Sequence, residues 1–315
     1  MPTRRPSETA TDARCTAPQP LSRPQEPRGC PVAPDGYCRF GTPTPHVDRS
    51  SLLGPVSVVR CQHCGVGISL PAISDLASLY ADRTSQDFQQ SNSRLTRAIK
   101  SVAFRRQARG LLAQVRIAPT RVIDFGCGSG LFTRQLGELL PASEVIGTDF
   151  HRTAPAELGE NPYRPFDSTT DLAGSADLVL AMHVLEHDED SMALLLRIAR
   201  LAKPGGRVVI EVPNVDCAWT RVFGRFWDAW YLPYHRVHFN RTSLRGLIRQ
   251  SGLALDREIA VCVPTMGRTV ANVLGRRNSL AFILVGIALH PVQWLLERAT
   301  RKPSALRIVA RVPGP

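Results

Sequence analysis

Two acidic residues and three glycines carry the clearest chemical message in the chain. The run Asp124-Phe-Gly126-Cys127-Gly128-Ser-Gly130 follows a short β-branched stretch and opens a segment of helical spacing. Glycine is needed in such a bend because the chain turns tightly and lets a ligand lie against its backbone. A dinucleotide fingerprint of the G-x-G-x-x-G kind would require glycine or alanine at residue 131, which is Leu. Asp149 closes the next strand-like run, where a carboxylate accepts hydrogen bonds from both hydroxyls of a ribose. Together these residues specify an adenosine-containing ligand without a phosphate. No glycine-rich loop ending in Gly-Lys-Ser/Thr is present, which disfavours a nucleoside triphosphate.

Proton chemistry has two candidate clusters. His183, Glu186 and His187 follow a third β-rich run, at the strand end where open α/β sheets bind ligands. A histidine there titrates near neutral pH and suits a general base; the competing reading has Glu186 and His187 bracing the next helix. The second cluster is Tyr231-Leu-Pro-Tyr-His235-Arg-Val-His238-Phe-Asn240. His235 and His238, three apart, either face an acceptor or satisfy buried backbone groups. The aromatic run before them (Trp219, Phe223, Phe226, Trp227, Trp230) has few interleaved basic residues, so it reads as lid or core rather than a base-stacking platform.

The cysteines offer metal chemistry. Cys61-Gln-His-Cys64-Gly is half of a zinc knuckle, with two thiolates close enough to grip one tetrahedral ion. Cys30 and Cys38 would supply the other half, but they stand eight residues apart rather than three, so a metal-free module remains the alternative. Cys127, Cys217 and Cys262 read as small buried residues.

Strands and helices alternate around these positions. Helical periodicity covers 92–117, stopped by Pro119, and then 129–140. Strands are expected at 121–125, 144–148, 176–181 and 207–212, and an amphipathic helix at 188–202 with acids first and bases last. Lys203-Pro-Gly-Gly206 reads as a turn. A helix at 243–251 and strands at 254–263 and 305–312 complete the pattern. Such alternation defines an α/β fold, a doubly wound, seven-stranded, mostly parallel sheet covered on both faces. The expected divisions are a disordered Pro/Arg-rich leader over 1–29, a small Cys-containing module over 30–80, and one large domain over 81–315 with an apolar helical insertion at about 265–303.

Four linked segments resemble the class I S-adenosylmethionine-dependent methyltransferases: Val122-Ile-Asp-Phe-Gly-Cys-Gly-Ser-Gly130, Val145-Ile-Gly-Thr-Asp149, Ala176-Asp-Leu-Val-Leu-Ala-Met-His-Val-Leu-Glu-His187 and Leu201-Ala-Lys-Pro-Gly-Gly-Arg-Val-Val-Ile210. The resemblance implies S-adenosylmethionine as cofactor. It places Asp124, Gly126, Cys127, Gly128 and Gly130 at the methionine part, Asp149 at the ribose, Phe150 on one face of adenine, Asp167 at its edge and Met182 beside the donor. The stretch from Cys61 to Tyr80 resembles the N-terminal zinc-binding portion of some sugar C-methyltransferases, which implies zinc on Cys30, Cys38, Cys61 and Cys64.

The acceptor is narrowed by exclusion. No Asn/Asp-Pro-Pro-aromatic tetrad follows the strand at 176–181, and no Pro-Cys nucleophile is placed to attack a pyrimidine. An oxygen or carbon of a small molecule, sugar or lipid-linked glycan is the expected target. A formal charge of +12 raises nucleic acid as a partner, but only three of the basic residues are Lys and the bases occur as pairs, not runs, so RNA stands as the alternative. A cofactor-binding member without catalysis is the other alternative. The first 30 residues hold no apolar core of a signal peptide, so a reducing cytoplasm is expected. Within the insertion, Leu280–Leu289 is apolar, His290-Pro291 interrupts it, and arginines flank it. This suggests either a buried helical cap over the pocket or a peripheral membrane contact through 276–301.

Overall fold

The computed structural model describes residues 30–32, 38–46, 56–73, 94–276 and 279–314. The expected leader at 1–29 lies outside these residues. Near the N-terminus, β1 (Thr44–Pro45), β2 (Ser57–Arg60) and β3 (Gly67–Leu70) form antiparallel pairs. The helix α1 (Arg94–Val115) then leads into β4 (Arg121–Phe125), α2 (Leu131–Leu139), β5 (Glu144–Asp149), β6 (Tyr163–Pro165) and β7 (Ala176–Met182). Next come α3 (Ser191–Leu201), β8 (Ala202–Pro213), α4 (Ala218–Phe223), β9 (Val237–His238), α5 (Arg241–Gln250) and β10 (Ala254–Val261). The chain ends through α6 (Met266–Val273), α7 (Leu280–Thr300) and β11 (Ala305–Arg311).

The large sheet has seven strands in the order β10-β11-β8-β7-β4-β5-β6, parallel except around the antiparallel β11. Strand periodicity alone explains how it is covered. In β4 and β7, Val122, Leu178 and Leu180 join one core with α1, while Ile123, Phe125, Val179 and Ala181 join another with α3 and α5. Alternate residues face opposite sides of a pleated strand, so a strand buried on both faces must be apolar throughout. Helix starts are set by side chains the sequence supplies. Asp190 accepts the Ala193 N–H at 2.9 Å ahead of α3, and Asn240 and Ser243 form a reciprocal capping box at α5.

Two details differ from the sequence reading. Ala176 pairs with Ala202 and Leu178 with Arg207, so residues 203–206 bulge within β8 instead of preceding it as a turn. The apolar insertion does not stop at His290-Pro291, because α7 runs unbroken through Pro291 to Thr300. Pro291 has no N–H for the Ile287 carbonyl and its ring crowds that group, and the helix continues across this one missing bond.

The cysteine-bearing segment is continuous with the rest. β3 pairs with β9, giving the four-stranded order β1-β2-β3-β9, and Cys30, Cys61 and Cys64 pack into the same core as α3 and α5.

Candidate functional site

The first two parallel strands put the glycine bend and its acid side by side. Phe125 pairs with Thr148, so the turn after β4 and the end of β5 share the carboxyl edge of the sheet. Asp149 is 4% exposed; its Oδ2 accepts the Gly128 N–H at 2.9 Å and its Oδ1 the Phe150 N–H at 2.8 Å. Burial raises its pKa to about 6. Asp124 is buried behind it, accepts the Thr133 hydroxyl at 2.6 Å, and is likewise raised to about 6 by burial and by the charge of Asp149.

The three glycines divide the work. A Cβ on Gly130 would lie 2.6 Å from the Leu158 backbone, and one on Gly126 would lie 2.4 Å from the Val184 side chain. A Cβ on Gly128 meets nothing within 4 Å, so this is the point where the bend opens toward a ligand. Each carboxylate oxygen of Asp149 has taken one N–H and keeps a lone-pair direction for a ribose hydroxyl. The residues therefore fit an adenosyl ligand.

The other expected donor contacts surround this core. Phe150 is 45% exposed beside His151, Cys127 is buried with its thiol pushed up by burial, and Met182 is half-buried at the end of β7. Asp167 lies on the surface, 3.7 Å from the Arg152 guanidinium. Its neighbour Phe166 stacks on Phe125 with centroids 4.2 Å apart, and Arg197 lies over both rings.

At the end of β7 the backbone of His183 takes φ 58°, a left-handed geometry that turns its ring between two carboxylates. Nδ1 lies 3.2 Å from Glu186 Oε1 and Nε2 lies 3.1 Å from Glu211 Oε1. Burial opposes the charge, but the two carboxylates outweigh it and raise His183 to about 10. It is therefore an imidazolium at neutral pH. Glu211 in turn receives Arg307, at 2.7 Å from Nε, and Arg307 Nη1 donates to Gln114.

His235 has the opposite character. Its Nδ1 donates to the Ala229 carbonyl at 3.0 Å, and its Nε2 stands 3.8 Å from Glu186 Oε1. Burial, then the charges of His187, His238 and His183, lower its pKa well below the usual value, so the ring is neutral with its lone pair on Nε2. His187 donates from Nδ1 to the Tyr234 carbonyl and meets the His235 ring edge-on at 4.7 Å. Ligating atoms of Glu186, His187 and His235 all lie within 4.8 Å of one another, a spacing that suits a shared proton or a cation. His238 stands apart from this trio: it lies in β9, 2.9 Å from Ser69 Oγ and against the Trp230 ring.

A cavity of about 560 Å³ opens where the chain leaves β8, on the same sheet edge. Its lining includes Arg60, Arg221, Arg225, Lys302 and Trp230, with Asp216 bonded to Arg60 at 2.8 Å. The aromatic run beside it is mostly core, with Trp219, Trp227 and Trp230 buried against Val56, Val58 and Met266.

The four predicted metal-ligating cysteines come together. The Sγ atoms of Cys30, Cys38, Cys61 and Cys64 all lie within 4.8 Å of one another, and Cys30 and Cys64 are 3.5 Å apart without a disulfide. The Cys64 N–H points at Cys61 Sγ at 3.4 Å, as a knuckle requires. Thiolates about 2.3 Å from a tetrahedral zinc ion stand slightly under 4 Å from one another, so this donor set fits zinc.

Sequence reasoning missed Glu211 and Arg307. The signal was present, since each is a charge set between apolar residues of a buried strand, Glu211 between Ile210 and Val212 and Arg307 between Leu306 and Ile308. The pocket arginines gave no such signal, because isolated surface arginines are common in this chain.

Residues 90–258, more than half of the chain, match a family model described as a methyltransferase domain. The chain belongs to this family. With the seven-stranded sheet and the adenosyl cradle, this region is a class I S-adenosylmethionine-dependent methyltransferase domain. It is 30% identical over 160 residues to the ubiquinone biosynthesis O-methyltransferase of Xanthomonas euvesicatoria pv. vesicatoria, covering 45% of this chain and 66% of that one. It is 33% identical over 111 residues to the trans-aconitate 2-methyltransferase of Deinococcus radiodurans, covering 34% and 43%. The chain thus spans less than two thirds of the length of these relatives. Its fold is like that of the Haemonchus contortus phosphoethanolamine N-methyltransferase 2 in complex with S-adenosyl-L-methionine, with a TM-score of 0.53 at 17% identity over 77% of this chain and 61% of that one.

Proposed function

We propose that this methyltransferase acts on an oxygen or carbon atom of a small-molecule, sugar or lipid-linked acceptor carrying an anionic group. The observation behind this reading is the neutral imidazole of His235 beside Glu186, on the sheet edge where the donor cradle also opens. Bound S-adenosylmethionine supplies an electrophilic methyl group on a sulfonium, so the protein's task is to orient the acceptor and remove its proton. Asp149 and the bend at Gly128 fix the donor. His235 Nε2 takes the proton from an acceptor hydroxyl or activated carbon, and Glu186 stabilises the imidazolium that results. The imidazolium of His183 contributes fixed positive charge, and Arg60, Arg221, Arg225 and Lys302 hold the anionic group of the acceptor. O-methyltransferases among the relatives support the oxygen reading.

The test is mass spectrometry of cell extracts incubated with the enzyme and isotopically labelled methyl donor. Labelled anionic small molecules or glycolipids are the expected products, and label found only in RNA would refute the assignment. The His235→Ala variant should lose kcat by about 100-fold or more while keeping cofactor affinity.

We further propose that Cys30, Cys38, Cys61 and Cys64 hold a structural zinc ion, as the resemblance to the sugar C-methyltransferases implies. Their mutual distances support it.

A further inference from the structure

The helix α7 is built inside out. Its fully buried residues carry polar side chains or none: Gly286, Gln293 and Glu297, with Phe282 and Ile283 half-buried near its start. Gln293 Nε2 donates to the Val263 carbonyl at 2.7 Å, and Glu297 accepts the Trp219 indole N–H at 2.7 Å and the Ser304 N–H at 2.8 Å. The outward side chains are large and apolar, including Leu284 (52% exposed), Ile287 (50%), Val292 (55%), Trp294 (50%) and Leu295 (60%). The helix has a mean hydropathy of 1.6 over its most apolar window, and only 17% of that window is buried. Val273 and Leu274, at the end of α6, extend the same apolar surface. A helix facing water carries the reverse pattern.

We infer that the outward face of α7, with the end of α6, docks this protein onto an anionic lipid bilayer as a monotopic element. Three observations select that occupant. At 100° per residue the exposed apolar side chains sweep about 220° of the helix circumference, an arc that fluid hydrocarbon covers readily and a single protein groove does not. Arg276, Arg298 and Arg301 are exposed around the apolar face, and the one acid of the helix, Glu297, is turned inward, so charge there complements anionic headgroups. The hydrogen bonds of Gln293 and Glu297 fasten the helix to the body of the protein, which holds it along the membrane surface rather than across it.

The placement matters for catalysis. Val261 pairs with Ala305 and Ala305 with Pro213, so α6 and α7 stand on the carboxyl edge that also bears the donor cradle, and Lys302 just beyond α7 lines the acceptor cavity. Resting on the acceptor reading above, this points to an acceptor drawn from the bilayer. The docking itself does not depend on that reading.

Co-flotation of the full chain with phosphatidylcholine vesicles, with and without phosphatidylglycerol, tests the docking. Binding should require phosphatidylglycerol and weaken with salt. The Ile287→Asp and Leu295→Asp variants should each reduce binding by about tenfold or more, and Arg276→Glu and Arg301→Glu by about fivefold each. All four should keep the calorimetric heat of S-adenosylmethionine binding, which shows that they are folded and separates failure of docking from failure of the methyltransferase reading. Absence of flotation under every condition overturns the inference. So does a concentration-dependent dimer lost in the same apolar variants, which makes the occupant a second copy, or resistance to alkaline extraction, which makes α7 a spanning helix.

Discussion

Asp149 has to be ionised to serve both the glycine bend and a ribose, yet its burial makes ionisation costly. The sign follows directly. A carboxyl raised to about 6 holds its proton below that pH, and a protonated carboxyl has lost acceptor capacity. Affinity for S-adenosylmethionine should therefore be flat above pH 7 and fall by up to about tenfold per pH unit below about 6, measured by titration calorimetry. Asp149→Asn should weaken binding by about 10- to 100-fold at neutral pH, because one amide face then opposes the backbone N–H groups. His183 titrates in the opposite sense. Its folded pKa of about 10 exceeds the unfolded value near 6.5, so its contribution to stability is complete below that lower value and is lost as pH rises through 10. Thermal unfolding should show Tm declining over that window, and less so in His183→Gln. Arg307→Met removes one of the two cations on the fully buried Glu211, leaving His183, and should cost about 1–3 kcal/mol, read from denaturant unfolding.

Among the elements, the glycine bend joins packing to binding, and two substitutions separate them. Gly130→Ala forces a left-handed alanine into the Leu158 backbone and should destabilise by about 2–4 kcal/mol. Gly128→Ala, with open space before it, should cost only about 1–2 kcal/mol in thermal unfolding yet sharply reduce cofactor binding by filling that space. The sequence revealed these glycines because a bend between a β-branched run and a helical run is a local pattern. The same locality made β4, β5, β7 and β10 readable to within one or two residues. It failed at α7, where Pro291 looked like an end, since the packing that keeps the helix continuous lies elsewhere in the chain. Periodicity also could not show that the polar residues of α7 face inward, because that depends on the distant Trp219 and Ser304. The pairing of His183 with Glu211, and of Glu211 with Arg307, was hidden for the same reason. Those contacts are set by the registers of β7, β8 and β11.

Across the whole molecule, the cysteine cluster and the acceptor-side histidines are mechanically joined. Cys61 and Cys64 bracket the turn between β2 and β3, β3 pairs with β9, and β9 carries His238. Ser69 of β3 also accepts Arg236 Nη2 at its carbonyl and donates its hydroxyl to the His235 carbonyl. Loss of an ion from the cysteines would therefore loosen the segment holding His235 before it reached the donor cradle, which is built on β4 and β5. The wild-type protein purified without chelator should carry about one zinc ion per chain by elemental analysis, and Cys61→Ser should carry none. Removing the ion should lower Tm by several degrees, because ligand binding to the folded state alone stabilises that state. Cofactor affinity should change by less than about threefold in the same sample while turnover falls by more, since β3 is hydrogen-bonded directly to the segment of His235 and His238 and meets β4 only through the shared apolar core. Equal loss of both would mean that the cysteines support the entire fold and have no selective link to His235. A protein free of zinc, with a Tm indifferent to chelator, would mean that the four thiols pack as a small apolar cluster without metal.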